Sequence, residues 1–360
     1  MTLDVTMVWS PEVLLHVPGA EIFVGVRTAG TELPERAEVL RRAVLDAGAS
    51  EVPAVHCPDD LLDAVHDPSM TRWLAQAWDL WVAAGLDRDP GQDRVVPYFF
   101  PTPQVLEGLP DREPRAVHAR AGRYAYDTMT LVGPGTWRAA RAAVDVAATA
   151  ADRAWTDGGV VYALTRPPGH HATRSAYGGS CYLNNAAVAV EQLRRRGAAR
   201  VAVVDLDAHH GNGTQALFYD RGDVLYASVH VDPGAGWFPH VAGFSEETGR
   251  GDGARANLNR PLPPGSGDER WLAAVDEIAT VTTAFAADAL VVSLGLDAAR
   301  VDPESPLEVT EAGYRAAGVL LSGLGPTVVI QEGGYHLQHL GGLAVAALSG
   351  LSGGLYPPAG

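Results

Sequence analysis

The stretch RVAVVDLDAHHGNG (residues 200–213) decides the fold class, because a nearly unbroken run of Val and Leu passes directly into acids and histidines. An apolar run without polar alternation is typical of a strand buried on both faces, as in a parallel sheet. In open parallel sheets, ligands bind beyond the carboxyl ends of the strands. The stretch therefore predicts a central strand whose end carries functional side chains.

Four more short apolar runs alternate with helical stretches such as NNAAVAVEQLRRRG, where an asparagine is a candidate N-cap and Gly197 a stop signal. This alternation predicts one doubly wound α/β domain over residues 1–360, with a central, mostly parallel sheet flanked by helices. The four runs are GVVYALT (159–165), DVLYASVH (223–230), ALVVSLGLD (289–297) and TVVIQEGG (327–334).

The first half of the chain contains two helical patterns, PERAEVLRRAVLDAG (34–48) and SMTRWLAQAWDLWVAAG (69–85). From about residue 86 to residue 122 the chain becomes rich in Pro, Asp and Arg and has little periodicity. No second domain precedes this segment, so we interpret residues 86–122 as an insertion loop of the same domain.

The formal net charge of −16 argues against a nucleic-acid or anionic-membrane partner, since both require basic surfaces. A cationic ligand fits this charge better, although many enzymes are simply acidic. The two cysteines, Cys57 and Cys181, cannot form a disulfide framework, and no apolar run reaches the ~18 residues of a membrane helix. The amino-terminal segment lacks a secretory pattern, so we expect a cytoplasmic protein.

Chemically active residues follow four of the five apolar runs. RPPGHH follows the first, DLDAHHGNG ends the second, Asp297 ends the fourth, and EGGY ends the fifth. One such ending could be a helix cap or a solubility feature. Four of them at one edge of a sheet indicate a shared site.

The richest of these segments predicts a metal centre. Asp205, Asp207 and His209 fall at i, i+2 and i+4, so an extended strand would point all three to one side. Asp207 and His209 with Asp297 from another strand make three ligands and leave a position open, which is typical of a catalytic rather than a structural zinc site. Ligands without thiolate also suit Fe(II) or Co(II).

The adjacent histidines His170 and His171 are candidates for acid–base work beside that metal, because two imidazoles with different partners titrate differently. Tyr335, behind a Glu-Gly-Gly segment that we expect to be flexible, could swing its phenol towards a carbonyl oxygen. Together these residues indicate metal-assisted hydrolysis of an amide or similar acyl bond.

Several ordered motifs resemble the zinc-dependent histone deacetylase superfamily, which has the arginase–deacetylase α/β fold. The resemblance extends from about Pro34 to Gly350, and the phrases YDTMTLVGPGTW, GFSEETGRG and SLGLD look most like bacterial acetylpolyamine amidohydrolases. The matching motifs are PERAEVL, VHDPSM, RPPGHH, CYLNNAAVA, DLDAHHGNGTQALFYD, VLYASVH, WFPH, DALVVSLGLDA and QEGGY.

The resemblance assigns roles to individual residues. It implies zinc on Asp207, His209 and Asp297, tandem catalytic histidines at His170 and His171, and an oxyanion-stabilising Tyr335. It further implies Asp205 and Asn212 as the partners of the two histidines, and an asparagine beside His171 should favour the cationic ring less than a carboxylate would. The remaining implied residues are Asp205, Asp207, His209, Ser228 and Val229 for a structural potassium ion, Phe238 for a wall of the narrow acyl-lysine tunnel, Gly179 for a backbone contact to substrate, and Arg36 near an internal acetate-release channel.

Ser180 departs from the family pattern, which has Phe or Tyr just before the CYLNN cysteine. An aromatic ring buries about 150–250 Å², so its loss should widen the tunnel. Alternatively, a neighbouring aromatic residue such as Tyr177 could fill the gap.

We expect deacetylation of an N-acetylated small cationic amine such as an acetylpolyamine, with Asp127, Glu246 or Glu247 as a possible acidic gate. The resemblance also implies a homodimer built through the insertion loop. Alternatives are a protein acetyl-lysine deacetylase, a biosynthetic N-acyl amidase with a wider pocket, and a non-catalytic relative that binds acylated ligands.

Overall fold

The five apolar runs form the middle of a parallel sheet in a computed structural model of the protein, which describes residues 3–88 and 91–353. Its ten strands, in chain order, are β1 (Thr6–Trp9), β2 (Glu21–Phe23), β3 (Val26–Thr28), β4 (Ser50–Pro53), β5 (Val160–Ala163), β6 (Val201–Asp205), β7 (Val224–Val231), β8 (Asn257–Leu262), β9 (Ala289–Leu294) and β10 (Thr327–Gln331). Eight of them form a single sheet, which pairs in parallel throughout in the order β4-β1-β5-β10-β9-β6-β7-β8, and β2 and β3 form a separate antiparallel hairpin.

Both faces of the sheet are buried, as the unbroken apolar runs predict. Along β6, Val201 and Val203 belong to one hydrophobic cluster, whereas Ala202 and Val204 belong to a second cluster on the opposite face. Burying a valine side chain is worth about 1.5–3 kcal/mol. The run therefore stabilises two helical layers at once, and a one-residue shift of register would still leave every side chain in a core.

Helices cover both faces, so the architecture is the predicted single α/β domain with a parallel sheet between helices. The helix expected to follow Asn184 begins at Asn185, and the Asn184 side chain accepts a hydrogen bond from the Ala187 backbone N–H. Gly197 ends it with a φ of 110°. The helices are α1 (Pro34–Asp46), α2 (Asp59–Val65), α3 (Pro68–Ala83), α4 (Pro103–Leu106), α5 (Val117–Tyr124), α6 (Thr136–Asp157), α7 (Asn185–Arg196), α8 (Asn212–Phe218), α9 (Asp268–Phe285), α10 (Glu311–Leu321) and α11 (Leu337–Leu351).

Three strands of the large sheet were missed by the sequence patterns. β1 is only four residues long, and the edge strands β4 and β8 have the sequences SEVP and NLNRPL. An edge strand has a neighbour on one side only, so it tolerates proline and polar residues and shows no continuous apolar run.

The segment interpreted as an insertion is largely irregular where it is described. Between residues 91 and 116 its only helix is α4, and α5 begins at Val117. Its first part, including residues 89 and 90, lies partly outside the described residues. Among the described residues, no helix is both long and apolar enough to cross a membrane.

Candidate metal centre and active site

The strand order brings the four chemically active segments together. Strands β5, β10, β9 and β6 are consecutive in the sheet, and because they run parallel, the segments after their carboxyl ends meet at one edge. These segments carry the histidine pair, the Glu-Gly-Gly-Tyr motif, Asp297, and the pair Asp207 and His209. The predicted shared site is therefore formed by four neighbouring loops.

The three predicted metal ligands lie side by side, each offering an atom within 4.8 Å of the others. Nδ1 of His209 is 3.3 Å from Oδ1 of Asp207 and 3.1 Å from Oδ2 of Asp297. Ligands bonded at ~2.0–2.1 Å in a tetrahedral arrangement lie about 3.3 Å apart. The spacing therefore fits a small divalent cation.

The electrostatics of the cluster also favour a bound cation. Asp207 and Asp297 are fully buried, and burial, followed by the negative charge of Asp207, raises the pKa of Asp297 to about 7. Two buried carboxylates without a compensating charge are costly. A bound cation would keep both of them ionised.

The ligand geometry arises differently from the extended strand that the sequence predicted. β6 ends at Asp205, and the chain then turns, with the Asp207 and His209 backbone N–H groups donating to the Asp205 and Asp207 carboxylates at 3.2 and 2.9 Å. These turns bring Asp207 and His209 towards Asp297, which lies three residues beyond β9.

Backbone donors orient the two ligand carboxylates. Gly333 N–H donates to Oδ2 of Asp207 at 2.8 Å, and Ala208 N–H donates to Oδ1 of Asp297 at 2.9 Å. The remaining oxygen of each carboxylate is the one that faces His209. Gly295 makes this arrangement possible, because a Cβ there would lie 2.2 Å from Oδ2 of Asp207.

The two adjacent histidines have chemically different partners, as expected. Nδ1 of His170 lies 3.0 Å from a carboxylate oxygen of Asp205, while Nδ1 of His171 lies 2.8 Å from the amide oxygen of Asn212. Both partners accept, so each Nδ1 carries the proton and each Nε2 is turned towards other groups. The ring centroids are 4.0 Å apart.

The surroundings of the two imidazoles shift their pKa values in opposite directions. Burial lowers the pKa of His170, but the charges of Asp207 and Asp205 outweigh it and raise this pKa to about 10. Burial also lowers the pKa of His171, and there the positive charge of His170 adds to the effect. The protein groups around the two rings therefore favour a cationic His170 and a neutral His171 at neutral pH.

Tyr335 lies beside the cluster. We expected its segment to be flexible, but hydrogen bonds hold it in place. Tyr335 N–H and His336 N–H donate to Oδ2 of Asp302 at 2.6 and 3.1 Å, and the buried Arg36 guanidinium donates to the carbonyls of Glu332 and Gly334. Burial raises the pKa of Tyr335 well above its ordinary value, although Arg36 opposes the rise. The phenol therefore remains a proton donor in a fastened loop.

Arg36 is thus placed behind Tyr335, with its guanidinium 4.7 Å from the centre of that ring. It also forms a 2.6 Å ion pair with the buried Glu32. The proximity of Arg36 to an acetate-release channel stays a prediction.

Glu332 is a site residue whose role the sequence reasoning missed. Its side chain is fully buried, and Oε2 accepts from the backbone N–H groups of Gly169 and His170 at 2.6 and 3.2 Å. Oε1 accepts from the Ser293 hydroxyl at 3.3 Å. Glu332 therefore ties the loop that carries the histidines to β9 and β10. An acid directly after a buried strand, in TVVIQEGG, was the available signal.

Phe238 and Gly179 lie together above His171. The Phe238 ring meets the His171 ring edge to face at a centroid distance of 4.8 Å. A Cβ at Gly179, whose φ is +58°, would lie 2.4 Å from the His171 ring and 2.8 Å from Phe238. Only glycine fits between these two rings.

Tyr177 does not fill the space beside Ser180, contrary to the alternative raised from the sequence. Its side chain is fully buried, accepts a 3.3 Å hydrogen bond from the Trp73 indole and stacks on Tyr182 at 5.7 Å. The ring that packs on Gly178, two residues before the partly buried Ser180, is that of Tyr126, which lies parallel to Phe238.

The three acids considered for a gate differ in their surroundings. Glu247 is an anchor rather than a gate, since its Oε2 accepts from Gln215, Gly243 and Asn259 at 2.7, 2.9 and 3.2 Å. Glu246 is simply exposed.

Neighbouring donors already fill the acceptor positions of the Asp127 carboxylate. It accepts from the N–H groups of Met129, Thr130 and Gly179 and from the Thr130 hydroxyl, at 2.6–3.1 Å. A carboxylate has about four acceptor positions, so this set is full. A direct substrate contact for Asp127 stays a prediction.

The residues implied for a potassium ion are adjacent in the structure. Ser228 pairs with Asp205 in the register between β6 and β7, and Val229 follows it. The Ser228 hydroxyl also lies 2.8 Å from Nδ1 of His230. Asp205 at the end of β6, with Asp207 and His209 on the loop that follows, completes the set.

Comparisons with known proteins agree with this geometry. Residues 31–351 match the family model described as "Histone deacetylase domain". The chain is 42% identical over 335 residues to an acetylpolyamine amidohydrolase of Burkholderia pseudomallei, covering 92% of this chain and 94% of that one. An acetylpolyamine amidohydrolase of Mycoplana ramosa is 37% identical over 350 residues, covering 96% and 99%.

A crystal structure of an acetylpolyamine aminohydrolase from Burkholderia pseudomallei superposes with a TM-score of 0.90 at 39% identity, covering 97% of this chain and 98% of the other. Family match, sequence identity and fold thus agree over nearly the whole chain. The protein belongs to the histone deacetylase family and is a hydrolytic deacetylase.

Proposed function

We propose that this protein hydrolyses the amide bond of small cationic N-acetylated amines, acetylpolyamines being the principal substrate class, and releases acetate. The observation that carries the proposal is the cluster of Asp207, His209 and Asp297 beside one cationic and one neutral histidine. The named activity of relatives that match nearly the full chain supports the same substrate class.

Zinc on Asp207, His209 and Asp297 is the metal we propose, and Fe(II) or Co(II) would suit the same oxygen and imidazole ligands. A divalent metal supplies Lewis acidity towards the amide carbonyl when it is bound. A potassium ion beside it, at Asp205, Asp207, His209, Ser228 and Val229, would offset the excess of buried carboxylates.

The protein's own groups divide the proton transfers. Neutral His171 accepts a proton at Nε2, because Asn212 holds the proton of this ring on Nδ1. Cationic His170, paired with Asp205, stabilises developing negative charge. The Tyr335 phenol donates to the carbonyl oxygen as that oxygen becomes anionic, and the protonated state of Tyr335 supports this role.

The surroundings of Glu21 support a cationic substrate. Burial raises the pKa of Glu21 to about 7, although the Thr31 backbone N–H opposes this, and the charges of Glu304, Asp127 and Glu32 raise it further. An ammonium group bound there would relieve that repulsion.

Glu304 and Asp127, whose charges raise the pKa of Glu21, are also linked to residues of the site. Glu304 also acts electrostatically on Tyr335, and Asp127 accepts from Gly179 N–H beside His171. Two of the acids that act on Glu21 therefore also act on, or bind to, residues of the site. With the net charge of −16, this arrangement favours a charged amine tail over a neutral one.

A homodimer through residues 86–122 is part of the proposal. Tyr98 and Leu109 in this segment are 70% and 68% exposed, and apolar side chains exposed in this way are typical of association surfaces. A molecular mass in solution equal to one chain would contradict the dimer.

Comparing kcat/KM for acetylputrescine, acetylspermidine and an acetyl-lysine peptide tests the proposed substrate class. We expect the acetylpolyamines to be favoured by at least about tenfold at low ionic strength, where charge recognition is least screened. Preference for the peptide would favour a protein acetyl-lysine deacetylase. Preference for bulky acyl groups would favour a biosynthetic N-acyl amidase with a wider pocket. A His171→Ala variant with undiminished turnover would refute the role of His171 as proton acceptor, whereas no turnover of any acylated amine by the unaltered protein would favour a non-catalytic relative.

A further inference from the structure

The turn that carries Ser180 has an unusual combination of shape and side chains. Cys181 N–H donates to the Gly178 carbonyl at 3.0 Å, and the two residues between them, Gly179 and Ser180, have φ values of 58° and 61°. Positive φ at both central positions is the mark of a type I′ turn. The turn therefore presents a small side chain at position 180 on the active-site side of the fold.

Tyr126, from a distant part of the chain, lies directly against this turn. A Cβ at Gly178 would come within 2.4–2.7 Å of three atoms of the Tyr126 ring. The ring could not occupy this position if residue 178 had a side chain.

The Tyr126 ring faces Phe238, the predicted aromatic wall of the tunnel. It lies parallel to the Phe238 ring, with 8° between the planes and 6.2 Å between the centroids. Both rings adjoin His171, since Phe238 meets the His171 ring at 4.8 Å and the Tyr126 hydroxyl donates to the His171 carbonyl at 3.0 Å. The pair is therefore positioned at the approach to the proposed proton acceptor.

The segment of Tyr126 is fastened to the Ser180 turn by backbone contacts. Tyr126 N–H donates to the Tyr177 carbonyl at 3.1 Å, and Tyr177 N–H donates to the Tyr124 carbonyl at 2.7 Å. Gly179 N–H donates to Asp127, and Ser180 N–H to the Thr130 hydroxyl. The ring position is thus set by the structure around it.

We propose that Tyr126 supplies the second aromatic wall of the acyl slot, in place of the side chain missing at Ser180, and so restricts the enzyme to short acyl groups. This inference rests on the proposed deacetylase function. It makes Tyr126 a specificity-determining residue, and it makes the small Ser180 the condition that lets the Tyr126 ring enter.

The experiment measures kcat/KM for acetyl, propionyl and butyryl derivatives of one amine. For Tyr126→Ala we expect the acetyl-to-butyryl ratio to fall by about tenfold or more, since one or two methylenes in an apolar pocket discriminate by that factor. Tyr126→Phe keeps the ring and should hold the ratio within about twofold of the original. Tyr177→Phe, which changes a core ring behind the turn, is the matched control and should leave the ratio unchanged.

The double variant Tyr126→Ala/Ser180→Phe gives the sharpest outcome, because it moves the ring from one segment to the other and should restore part of the acetyl preference. Ser180→Phe alone places two rings in one space and should lower turnover of every substrate. If Tyr126→Ala is poorly folded, Tyr126→Leu removes the flat ring while keeping bulk.

A change in turnover by the same factor for all three acyl groups would overturn the inference, since a ring that merely blocks the approach would act on all of them alike. No turnover of any acetylated amine by the unaltered protein would instead refute the proposed function. In that event, calorimetric affinities for alkanamides of increasing chain length still report the width of the slot.

Discussion

The amide oxygen of Asn212 lies 2.8 Å from Nδ1 of His171, so the second histidine of the pair is oriented by a neutral group. Asp205 gives His170 a carboxylate at nearly the same distance, 3.0 Å. The two rings therefore have the same tautomer but opposite tendencies to hold a second proton.

Replacing Asn212 by Asp should move the acidic limb of the pH profile of kcat/KM upward by about one unit or more. A carboxylate raises the pKa of His171, and the neutral ring needed to accept a proton is then lost at a higher pH. Steady-state kinetics at a series of pH values from about 5 to about 9 gives the measurement. An unmoved limb would show that His171 is not the group that must be neutral.

Metal removal should abolish activity and lower thermal stability, because the buried carboxylates of Asp207 and Asp297 then repel one another. Metal analysis should find about one divalent ion per chain and none in Asp297→Asn. Asp302→Asn is the matched control, since Asp302 is a buried acid that binds backbone N–H groups rather than the ligand cluster. Loss of metal from both variants would contradict the assignment.

Selection for a charged amine should depend on Glu21 and Glu304. Replacing either by Gln should raise KM for acetylspermidine about two- to fivefold, the range expected of a partly solvated ion pair, and leave a neutral N-acetyl amine unaffected. The exposed Glu38, replaced by Gln, serves as the control for net charge. Equal effects on charged and neutral substrates would argue against ammonium recognition.

Gly295→Ala should impair metal binding, since the added Cβ would lie 2.2 Å from Oδ2 of Asp207. Gly342→Ala is the contrasting change, because Gly342 is exposed within α11 and its Cβ would meet only the end of the Glu311 side chain at 3.3 Å. That variant should be more stable by about 0.5–1 kcal/mol. Urea unfolding and metal analysis of both variants check the pair; equal metal content would refute the steric explanation.

Acid should destabilise the fold through His66, whose burial lowers its pKa to about 4. Its ring is neutral, with Nδ1–H donating to the Thr173 carbonyl at 2.9 Å and Nε2 accepting from Asn184 N–H at 2.8 Å. The unfolded chain takes up a proton near the ordinary pKa of about 6.5 and the folded chain near 4, so stability falls as the pH drops through that window.

His66→Gln should lower the stability at pH 7 because a hydrogen bond is lost. The free energy of unfolding of this variant should fall less steeply as the pH drops, with a slope that is smaller by the equivalent of up to about one bound proton. Denaturant unfolding at a series of pH values gives the slope. A slope identical to that of the original protein would place the acid sensitivity in other buried histidines.

The sequence predicted the central strands and the ligand set because both depend on local patterns. Two-sided burial produces continuous apolar runs, and strand ends in a parallel sheet converge, so Asp207, His209 and Asp297 could be grouped without coordinates. Strand β1 has only four residues, too few for a clear pattern, and the edge strands β4 and β8 need no continuous apolar run because each has a neighbour on one side only.

Contacts between distant segments could not be predicted in the same way. That the Tyr126 ring packs on Gly178 and lies parallel to Phe238 depends on how the chain before α6 packs on this turn. The buried link from Glu332 to His170 likewise depends on the approach of β10 to the loop after β5. The cytoplasmic location stays a prediction.

The clamp of Arg36 on the carbonyls around Gly333 has a thermodynamic consequence for Tyr335. A loop held by a buried guanidinium, and by Asp302 at its other end, loses its conformational entropy when the protein folds. An arriving ligand then meets a phenol that is already in place and spends none of its binding energy on ordering it. Even a small substrate with few contacts can therefore be bound productively.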